Sequence, residues 1–528
     1  MSWTKNQELK LHITDLTAEG AGIGRIDGYP FFVKGAIPGD VIRAGVTKVK
    51  KTYGYARLIE VVTPSADRVT PPCPEAHRCG GCQLQHMSYE AQLRFKQKKV
   101  CDALTRIGGF AYAEGAAKGT ETGDKGDGSI RHLLPKVTFG PVPFVTVRYR
   151  NKIQVPFGTD KDGNMVYGFY AGRTHAIVPM DDCIAGFPEA AEILKSIRDY
   201  CVAHDIPAYD ETTGEGILRH VLLRKAFATG EIQVCFVVNE DAAQEGEKYD
   251  RGTGTLSYFS QRSEQPGVLT EKYDSVPVPL SYFSRSDITS LCINFNPVRT
   301  NVILGPVTKT LYGKPYIEDE LCGLKFRIAA PSFYQVNPAV TKQLYEKVVE
   351  CVTVPVPLTH STTIIWDLYC GIGTISLVLA NRLHTAHIHG VEVVPEAIEN
   401  ARENARINGI DNATFYVGRA EDIHIDDKKS MTVYPSPCHT FSEIYLPRPD
   451  VIVVDPPRKG CDAALLETIL NARPKRVVYV SCDPATLARD LKTLTADGTY
   501  YLTTIRPFDM FPHTHHVECV VLMSRVAR

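Results

Sequence analysis

The chain has 528 residues, of which 44% are hydrophobic and 23% charged, a composition typical of globular proteins with two or three domains. A formal net charge of −1 at pH 7 excludes a polycation that coats nucleic acid, although local basic clusters can still bind it. No apolar run reaches the length that spans a bilayer, and the N-terminus lacks the apolar run of a signal peptide. We therefore expect a cytoplasmic protein without membrane association.

Residues 1–65 alternate apolar and polar positions between glycine-containing turns, a pattern that predicts a small β-barrel. Tyr53 and Tyr55 lie there among four basic residues, Lys48, Lys50, Lys51 and Arg57. Such a mixture suits phosphates and stacked bases. It favours an OB-like nucleic-acid-binding module over a barrel used only for packing.

Residues 66–325 are expected to form a β-rich central domain, because apolar strand patterns recur at 147–158 and 217–239. A Gly-, Thr- and charge-rich stretch at about 112–130 and a weakly patterned one at about 240–290 interrupt it. We interpret both stretches as surface insertions.

The chain contains 15 cysteines, and in a cytoplasmic protein they need an explanation other than disulfides. Most are isolated within apolar runs, where a free thiol behaves as a small hydrophobic side chain. Cys73, Cys79 and Cys82 instead cluster in a polar, glycine-containing segment. This cluster indicates ligation.

Residues 326–528 alternate strand and helix patterns, which predicts a parallel sheet with crossover helices in a doubly wound α/β domain. Its ligand is expected outside the carboxyl ends of the strands.

The first strand of this domain runs into the turn DLYCGIGT at 367–374, where Gly371 and Gly373 let the backbone approach a ligand closely. The third glycine of a dinucleotide fingerprint is missing. Glu392 ends the next strand, where it could accept hydrogen bonds from both ribose hydroxyls of an adenosine. Asp455 leaves a buried strand into a double proline, which holds it at the same sheet edge. The pattern favours a methyl donor, with a dinucleotide site and a simple helix cap at Asp455 as the alternatives.

Cys482 ends the strand RVVYVS at the same edge, before the helix that follows Asp483. The helix dipole favours a thiolate there, whereas Asp483 opposes it. A thiolate that adds to carbon 6 of uracil makes carbon 5 nucleophilic toward a sulfonium methyl group, and a base must then remove the proton from carbon 5. Glu518, at the start of an apolar strand, is the candidate base. The alternative is an inert cysteine.

Three histidines shortly precede Glu518, namely His513, His515 and His516. Their spacing matches no standard zinc site. We expect them to pack or to contact RNA.

The C-terminal domain resembles the RNA uracil-5-methyltransferases of bacteria. Several independent motifs carry the resemblance in the family's order: SFYQVNP (332–338), DLYCGIGT (367–374), VEVVPEAIENARENARINGI (391–410), DPPRKG (455–460), SCDPATLARDL (481–491) and FPHTHHVECVVLM (511–523).

This resemblance implies a Rossmann-like class I methyltransferase domain that uses S-adenosylmethionine. The family's nucleophile falls on Cys482 and its base on Glu518. Its donor-binding positions fall on Gln335, Tyr369, Glu392 and Asp455. Thr374 stands where some members carry asparagine, so donor affinity could differ.

The N-terminal barrel is similar to the RNA-binding TRAM module of this family. Cys73, Cys79 and Cys82 resemble the iron–sulfur segment of its ribosomal-RNA branch, and Cys183 fits the fourth ligand. The resemblance implies a structural [4Fe–4S] cluster, with a four-cysteine zinc site as the alternative.

The implied activity is methyl transfer to carbon 5 of a uridine in RNA, through a covalent adduct between Cys482 and carbon 6. The front-half cysteines and the barrel point to 23S ribosomal RNA as the partner, and no obligate protein partner is indicated. The alternatives are a tRNA uridine methyltransferase and a non-catalytic RNA-binding assembly factor.

Overall fold

The computed structural model describes residues 3–112, 123–125, 129–131, 133–140, 145–172, 174–240, 287–353, 362–426 and 444–526. Two compact units divide the chain. The first comprises Met1–His77, Cys82–Phe144 and Ala339–Arg528, and the second comprises Arg78–Gly81 and Val145–Pro338. The predicted domain boundaries after residues 65 and 325 stay predictions.

The N-terminal segment forms the predicted β-barrel. Its strands are β1 (Glu8–Leu16), β2 (Gly22–Ile26), β3 (Tyr29–Lys34), β4 (Val41–Val49) and β5 (Gly54–Thr63). They close in the order β1-β2-β3-β5-β4 around alternating apolar side chains such as Leu11, Ile13 and Phe31. At Gly54 a Cβ atom would lie 2.6 Å from the Phe31 ring, so only glycine lets β5 lie this close to β3.

Helix α1 (Tyr89–Arg106) begins at Ser88, whose Oγ accepts a hydrogen bond from the amide of Ala91 at 3.3 Å. Four short strands follow, β6 (Ala111–Tyr112), β7 (Gly123–Lys125), β8 (Ser129–Arg131) and β9 (Leu133–Leu134). Strand β7 pairs with β8, and β6 pairs with β9. Apart from these strands, the insertion predicted at 112–130 lies outside the described residues.

The second unit is β-rich, as predicted. Its seven-stranded sheet has the order β12-β11-β10-β13-β14-β15-β16. The strands are β10 (Lys152–Thr159), β11 (Met165–Tyr170), β12 (Ile177–Pro179), β13 (Leu218–Lys225), β14 (Ile232–Val238), β15 (Ile288–Phe295) and β16 (Val307–Gly313). Helix α2 (Glu189–Ala203) packs on this sheet, and β17 (Tyr316–Leu321) pairs with β18 (Leu324–Ala329). Residues 241–286 of the insertion predicted at about 240–290 lie outside the described residues.

The C-terminal part of the first unit is the predicted doubly wound α/β fold. Its helices are α3 (Pro338–Thr353), α4 (Thr374–Arg382), α5 (Pro395–Ile407), α6 (Ala463–Ala472) and α7 (Pro484–Thr495), with a 3₁₀ turn at Ala420–Asp422. Its strands are β19 (Thr363–Leu368), β20 (Ala386–Glu392), β21 (Ala413–Val417), β22 (Ile423–Asp426), β23 (Ile444–Pro447), β24 (Val451–Val454), β25 (Arg476–Ser481), β26 (Tyr500–Phe508) and β27 (Glu518–Arg525).

Seven of these strands form one sheet in the order β21-β20-β19-β24-β25-β27-β26. The first five are parallel, whereas β27 is antiparallel to both of its neighbours. All four residues of β24 and all six of β25 are buried, because helices cover both faces of a parallel sheet. The carboxyl ends of β19, β20, β24 and β25 therefore share one edge. No helix within the described ranges is long and apolar enough to cross a membrane.

Candidate active site

Strand pairing brings Cys482 and Glu518 together. Strands β25 and β27 run antiparallel with Ser481 opposite Cys519. Cys482, which follows Ser481, and Glu518, which precedes Cys519, are therefore cross-strand neighbours. On the other side of β25, Val454 of β24 lies opposite Tyr479. Asp455, which follows Val454, therefore reaches the same edge. The sequence placed Asp455 and Cys482 at this edge and offered Glu518 as the base, but it did not predict the antiparallel pairing that brings Glu518 to Cys482.

The Glu518 carboxyl is buried, with only 4% of the residue exposed. Burial, together with the negative charge of Asp455, raises the pKa of Glu518 to about 8, and Arg458 opposes this rise. Burial also raises the pKa of Asp455 to about 7. A carboxylate with such a pKa is a stronger base than an exposed glutamate, which suits proton abstraction near neutral pH.

The Cys482 thiol is partly buried, and its pKa is raised to about 11. Burial is the main cause, the carboxylates of Glu518 and Asp455 add to it, and the guanidinium of Arg458 opposes it. The backbone amides at the start of α7 are not free to stabilise a thiolate. Those of Ala485 and Thr486 already donate hydrogen bonds to Asp483 Oδ1, at 2.8 and 3.1 Å. The surroundings of Cys482 therefore favour the neutral thiol over the thiolate.

The glycine-containing turn after β19 has the backbone of a ligand cradle. Tyr369 adopts a left-handed conformation with φ of 66°, which is rare for a non-glycine residue and often marks a functional position. Its amide donates to Val391 O at 2.9 Å, which fixes the turn against β20. The Glu392 carboxylate accepts from the Gly371 amide at 3.2 Å and from the Val394 amide at 3.0 Å. Three of the predicted donor-binding residues, Tyr369, Glu392 and Asp455, thus line one edge of the sheet.

Asp367 is a buried residue of this edge that sequence reasoning did not select. Its Oδ2 accepts from Ser376 Oγ at 2.5 Å, and its Oδ1 has no hydrogen-bond partner within the described residues. Burial raises the pKa of Asp367 to about 7, and the nearby charges of Asp455 and Glu392 add to the shift. Its place at the start of DLYCGIGT was the signal that could have identified it. With Glu392, Asp455 and Glu518, the edge therefore holds four carboxyl groups, which suits a cationic ligand.

Gln335, the fourth predicted donor-binding residue, belongs to the second unit. It is buried, and its carbonyl accepts from Asn151 Nδ2 at 2.9 Å. The backbone amide of Asn151 also donates to Val336 O at 2.8 Å, so two hydrogen bonds from Asn151 hold the segment at Gln335 and Val336. Its role toward the donor stays a prediction.

The four cysteines of the predicted cluster are divided between the units, with Cys73 and Cys82 in the first and Cys79 and Cys183 in the second. In the part of the chain that the structure describes, no three His, Cys, Asp or Glu side chains are grouped as a metal site. One local feature does fit a thiolate ligand. The Gly81 amide donates to Cys79 Sγ at 3.3 Å, and amide donors of this kind stabilise cluster-bound sulfur.

Helix α1 holds the loop that leads into Glu518. Lys96 donates to Asp509 Oδ1 at 2.5 Å and to the Phe511 carbonyl at 2.9 Å. Gln92 Oε1 accepts from the His513 amide at 3.0 Å, which supports a left-handed backbone at His513 with φ of 66°. Glu518 thus follows a loop that is fixed by a helix more than 400 residues earlier in the chain. Sequence reasoning missed Lys96 and Gln92 because nothing local shows that these polar side chains of α1 are buried.

The surroundings of His515 and His516 favour their neutral forms. Burial lowers the pKa of His515 to about 4 and that of His516 to about 3, with Lys99 and Arg458 contributing. The ring of His515 contacts Gln83 Oε1 at 3.2 Å, and its carbonyl accepts from Lys99 Nζ at 2.9 Å.

Comparison with known proteins agrees with this geometry. Residues 307–526 match the family described as tRNA (Uracil-5-)-methyltransferase, and residues 2–59 match the TRAM domain. An uncharacterized RNA methyltransferase of Halalkalibacterium halodurans is 42% identical over 521 residues, which cover 98% of this chain and 97% of the relative. One from Bacillus cereus is 41% identical over 524 residues, which cover 99% and 98%.

Among solved structures, the Pyrococcus abyssi tRNA (uracil-54, C5)-methyltransferase in complex with S-adenosyl-L-homocysteine matches with a TM-score of 0.65 and 27% identity. The match covers 98% of this chain and 100% of the other. The predicted class I fold and the predicted TRAM barrel are both confirmed. The chain therefore belongs to the tRNA (uracil-5-)-methyltransferase family of S-adenosylmethionine-dependent RNA methyltransferases.

Proposed function

We propose that this protein transfers the methyl group of S-adenosylmethionine to carbon 5 of a uridine in RNA, through a covalent adduct on Cys482. The observation that carries the proposal is the pairing of β25 with β27, which makes Cys482 and Glu518 neighbours at the edge that Asp455 also reaches.

The chemistry needs two proton steps. The thiol proton of Cys482 passes to water before sulfur attacks carbon 6. This attack opens the C5=C6 double bond and places the electrons on the enolate. Carbon 5 then takes the methyl group and S-adenosylhomocysteine departs. Glu518 removes the proton from carbon 5, the double bond re-forms, and the bond between sulfur and carbon 6 breaks.

The donor would lie against the turn at Tyr369 and Gly371, and Glu392 would accept hydrogen bonds from its ribose hydroxyls. Gln335 stays a predicted donor-binding residue. The carboxyl groups of Asp367, Glu392 and Asp455 make this edge negative, which favours a sulfonium cation over a neutral molecule.

We further propose ribosomal RNA of the large subunit as the substrate. The TRAM barrel and the cysteines Cys73, Cys79, Cys82 and Cys183 support this assignment, because the resemblance to the ribosomal-RNA branch rests on them. A [4Fe–4S] cluster, or zinc in its place, would join these cysteines and have a structural role. A uridine of tRNA is the second candidate, since the solved relative acts on uracil 54 of tRNA. Either substrate places the protein in the cytoplasm.

Mapping of 5-methyluridine in ribosomal and transfer RNA, from cells with and without the gene, tests the function and the substrate together. Loss of a methylated position in 23S ribosomal RNA is the expected result. Loss of 5-methyluridine from tRNA alone would instead identify tRNA as the substrate. Cells that express Cys482→Ala should lack the same mark, and an unchanged mark would overturn the covalent mechanism. Iron, sulfide and zinc analysis of anaerobically purified protein decides between the cluster and zinc.

A further inference from the structure

Helix α1 carries one cation that has no acidic partner in the part of the chain that the structure describes. The other four positive side chains of this helix form ion pairs, namely Arg94 with Asp67, Lys96 with Asp509, Lys98 with Asp15 and Asp102, and Arg106 with Asp102. Lys99 forms no ion pair there, and its Nζ donates to the carbonyl of His515 at 2.9 Å. The side chain is partly buried, and burial lowers its pKa. A bound anion would offset the cost of keeping this ammonium group charged.

A second unpaired cation, Arg458, lies near Lys99. Its side chain is exposed and makes neither a hydrogen bond nor an ion pair within the described ranges. Its backbone is fixed, because the carbonyl of Arg458 accepts from Thr486 Oγ1 at 3.1 Å, in the first turn of α7. Burial is the main cause that lowers the pKa of His516, and the charges of Arg458 and Lys99 both contribute. The two cations are therefore close to the same ring.

Both cations border the sheet edge that carries Cys482. Burial raises the pKa values of Cys482 and Glu518, and the charge of Arg458 opposes both shifts, so Arg458 lies close to these two residues. Lys99 lies near Asp483, the next residue after Cys482, without forming an ion pair with it. A uridine whose carbon 6 contacts Cys482 carries a phosphodiester group on each side of its ribose. Unpaired cations at this position suit one of these two groups.

The strand order favours the RNA over the methyl donor as the source of the anion. Strands β24 and β25 separate β19, which leads into the turn at Tyr369, from β27, which follows the loop that Lys99 contacts. A donor that extended from this turn to Lys99 would pass in front of Cys482. The uracil ring must occupy that place for sulfur to reach carbon 6. An anion at Lys99 is therefore expected to belong to the RNA.

We propose that Lys99, together with Arg458, binds a phosphodiester group next to the target uridine, on the side of Cys482 that faces away from the turn at Tyr369. This inference rests on the proposed RNA substrate, but it concerns binding and not methyl transfer.

The test measures equilibrium binding of a fluorescently labelled oligouridylate to the full chain at several salt concentrations, without donor, so that turnover is not needed. Lys99→Gln should weaken binding by about ten-fold, as expected for the loss of one charge-assisted contact. The slope of log Kd against log salt should fall by about 0.7, the value for one phosphate contact on a single strand. Lys99→Arg should bind as the parent does.

Lys98→Gln is the matched control, because it removes a positive charge from the adjacent position of α1, where Asp15 and Asp102 already neutralise it. Its affinity and slope should equal those of the parent. If Lys99→Gln behaves like this control, the proposal is overturned. Weaker binding of S-adenosylmethionine with unchanged RNA binding would also overturn it, since the anion would then be the donor's carboxylate.

The salt slope separates a lost contact from lost folding. Lys99→Gln also loses the hydrogen bond to the carbonyl of His515, so its Tm is measured as well. Well below the Tm, a smaller folded fraction would weaken binding alike at every salt concentration and leave the slope unchanged. Weaker binding with the slope of the parent would therefore overturn the direct contact. Failure of the proposed methyl transfer is a separate outcome, because a protein without uridine methyltransferase activity would still show the Lys99-dependent RNA affinity.

Discussion

Lys96 and Asp509 form a fully buried ion pair, with 2.5 Å between Nζ and Oδ1, that ties helix α1 to the loop before Glu518. Tyr89 Oη donates to the second oxygen of Asp509 at 2.8 Å, and Lys96 also donates to the carbonyl of Phe511. The carboxylate is therefore fully satisfied, which a buried charge requires.

Lys96→Met should destabilise the protein by about 3–5 kcal/mol, because it leaves the Asp509 carboxylate buried beside Tyr89 without its cation. The free energy of unfolding from urea titration measures the effect. Lys98→Met on the same helix is the control; its pairs with Asp15 and Asp102 are solvent-exposed, so a loss of less than about 1 kcal/mol is expected. Equal losses in the two variants would refute the structural role of the buried pair.

Glu518→Gln should trap the reaction after methyl transfer. Without a base, the proton stays on carbon 5 and the bond to Cys482 cannot break, so a protein–RNA adduct that survives denaturing electrophoresis accumulates. Turnover should fall by about 100- to 10,000-fold, the usual contribution of a general base. Glu467→Gln, on the exposed face of α6, is the control and should turn over normally. An adduct that also forms in Cys482→Ala would assign the bond to another residue.

The sequence predicted much of this site because its signals are local. Apolar strands that are followed directly by Asp455 and Cys482 indicate a sheet edge, and the motifs follow one another in the family's order. The ion pair that holds the loop before Glu518 has no such local signal in the sequence. Lys96 and Asp509 are 413 residues apart, and each could equally be an exposed charge on its own element. Only packing decides that both are buried.

The balance of charges around Cys482 was also beyond sequence. The expectation that a helix N-terminus favours a thiolate depends on free amides, and the structure shows Asp483 accepting from two of them. Burial then dominates the pKa of the thiol, and its size follows from three-dimensional packing alone.

Adduct resolution should become faster as pH rises through about 8, because Glu518 must be ionised to accept the carbon 5 proton and its pKa is raised to about 8. Below that pH the rate should fall by about ten-fold per pH unit. Arg458→Gln removes the cation that lowers the pKa of Glu518, so its profile should move to higher pH. Single-turnover decay of the adduct across pH provides the measurement, and a profile that is flat between pH 6 and 9 would contradict it.

Glu518→Gln should be more stable than the parent at pH 8.5. A carboxyl whose pKa is raised on folding makes the native state bind more protons than the unfolded state, so stability falls as pH rises from about 4.5 to about 8. Glutamine does not ionise and escapes this loss. Urea unfolding at pH 5 and pH 8.5 should show a gain that appears only at the higher pH. The Glu467→Gln control should match the parent at both values.

Selectivity for S-adenosylmethionine over S-adenosylhomocysteine should increase between pH 6 and pH 8. The two ligands differ by the sulfonium charge, and the pKa values of Asp367 and Asp455 are both raised to about 7, so these carboxyls ionise within that interval. Each new negative charge favours the cation. Calorimetric titration of both ligands gives the ratio of their Kd values. S-adenosylhomocysteine is the internal control, because unfolding or a change in the shape of the site would weaken the binding of both ligands. Asp367→Asn combined with Asp455→Asn should make the ratio rise much less steeply, leaving only the part that Glu518 contributes as it ionises near pH 8. A ratio that rises as steeply in that variant as in the parent would contradict the assignment of the charge selection to Asp367 and Asp455.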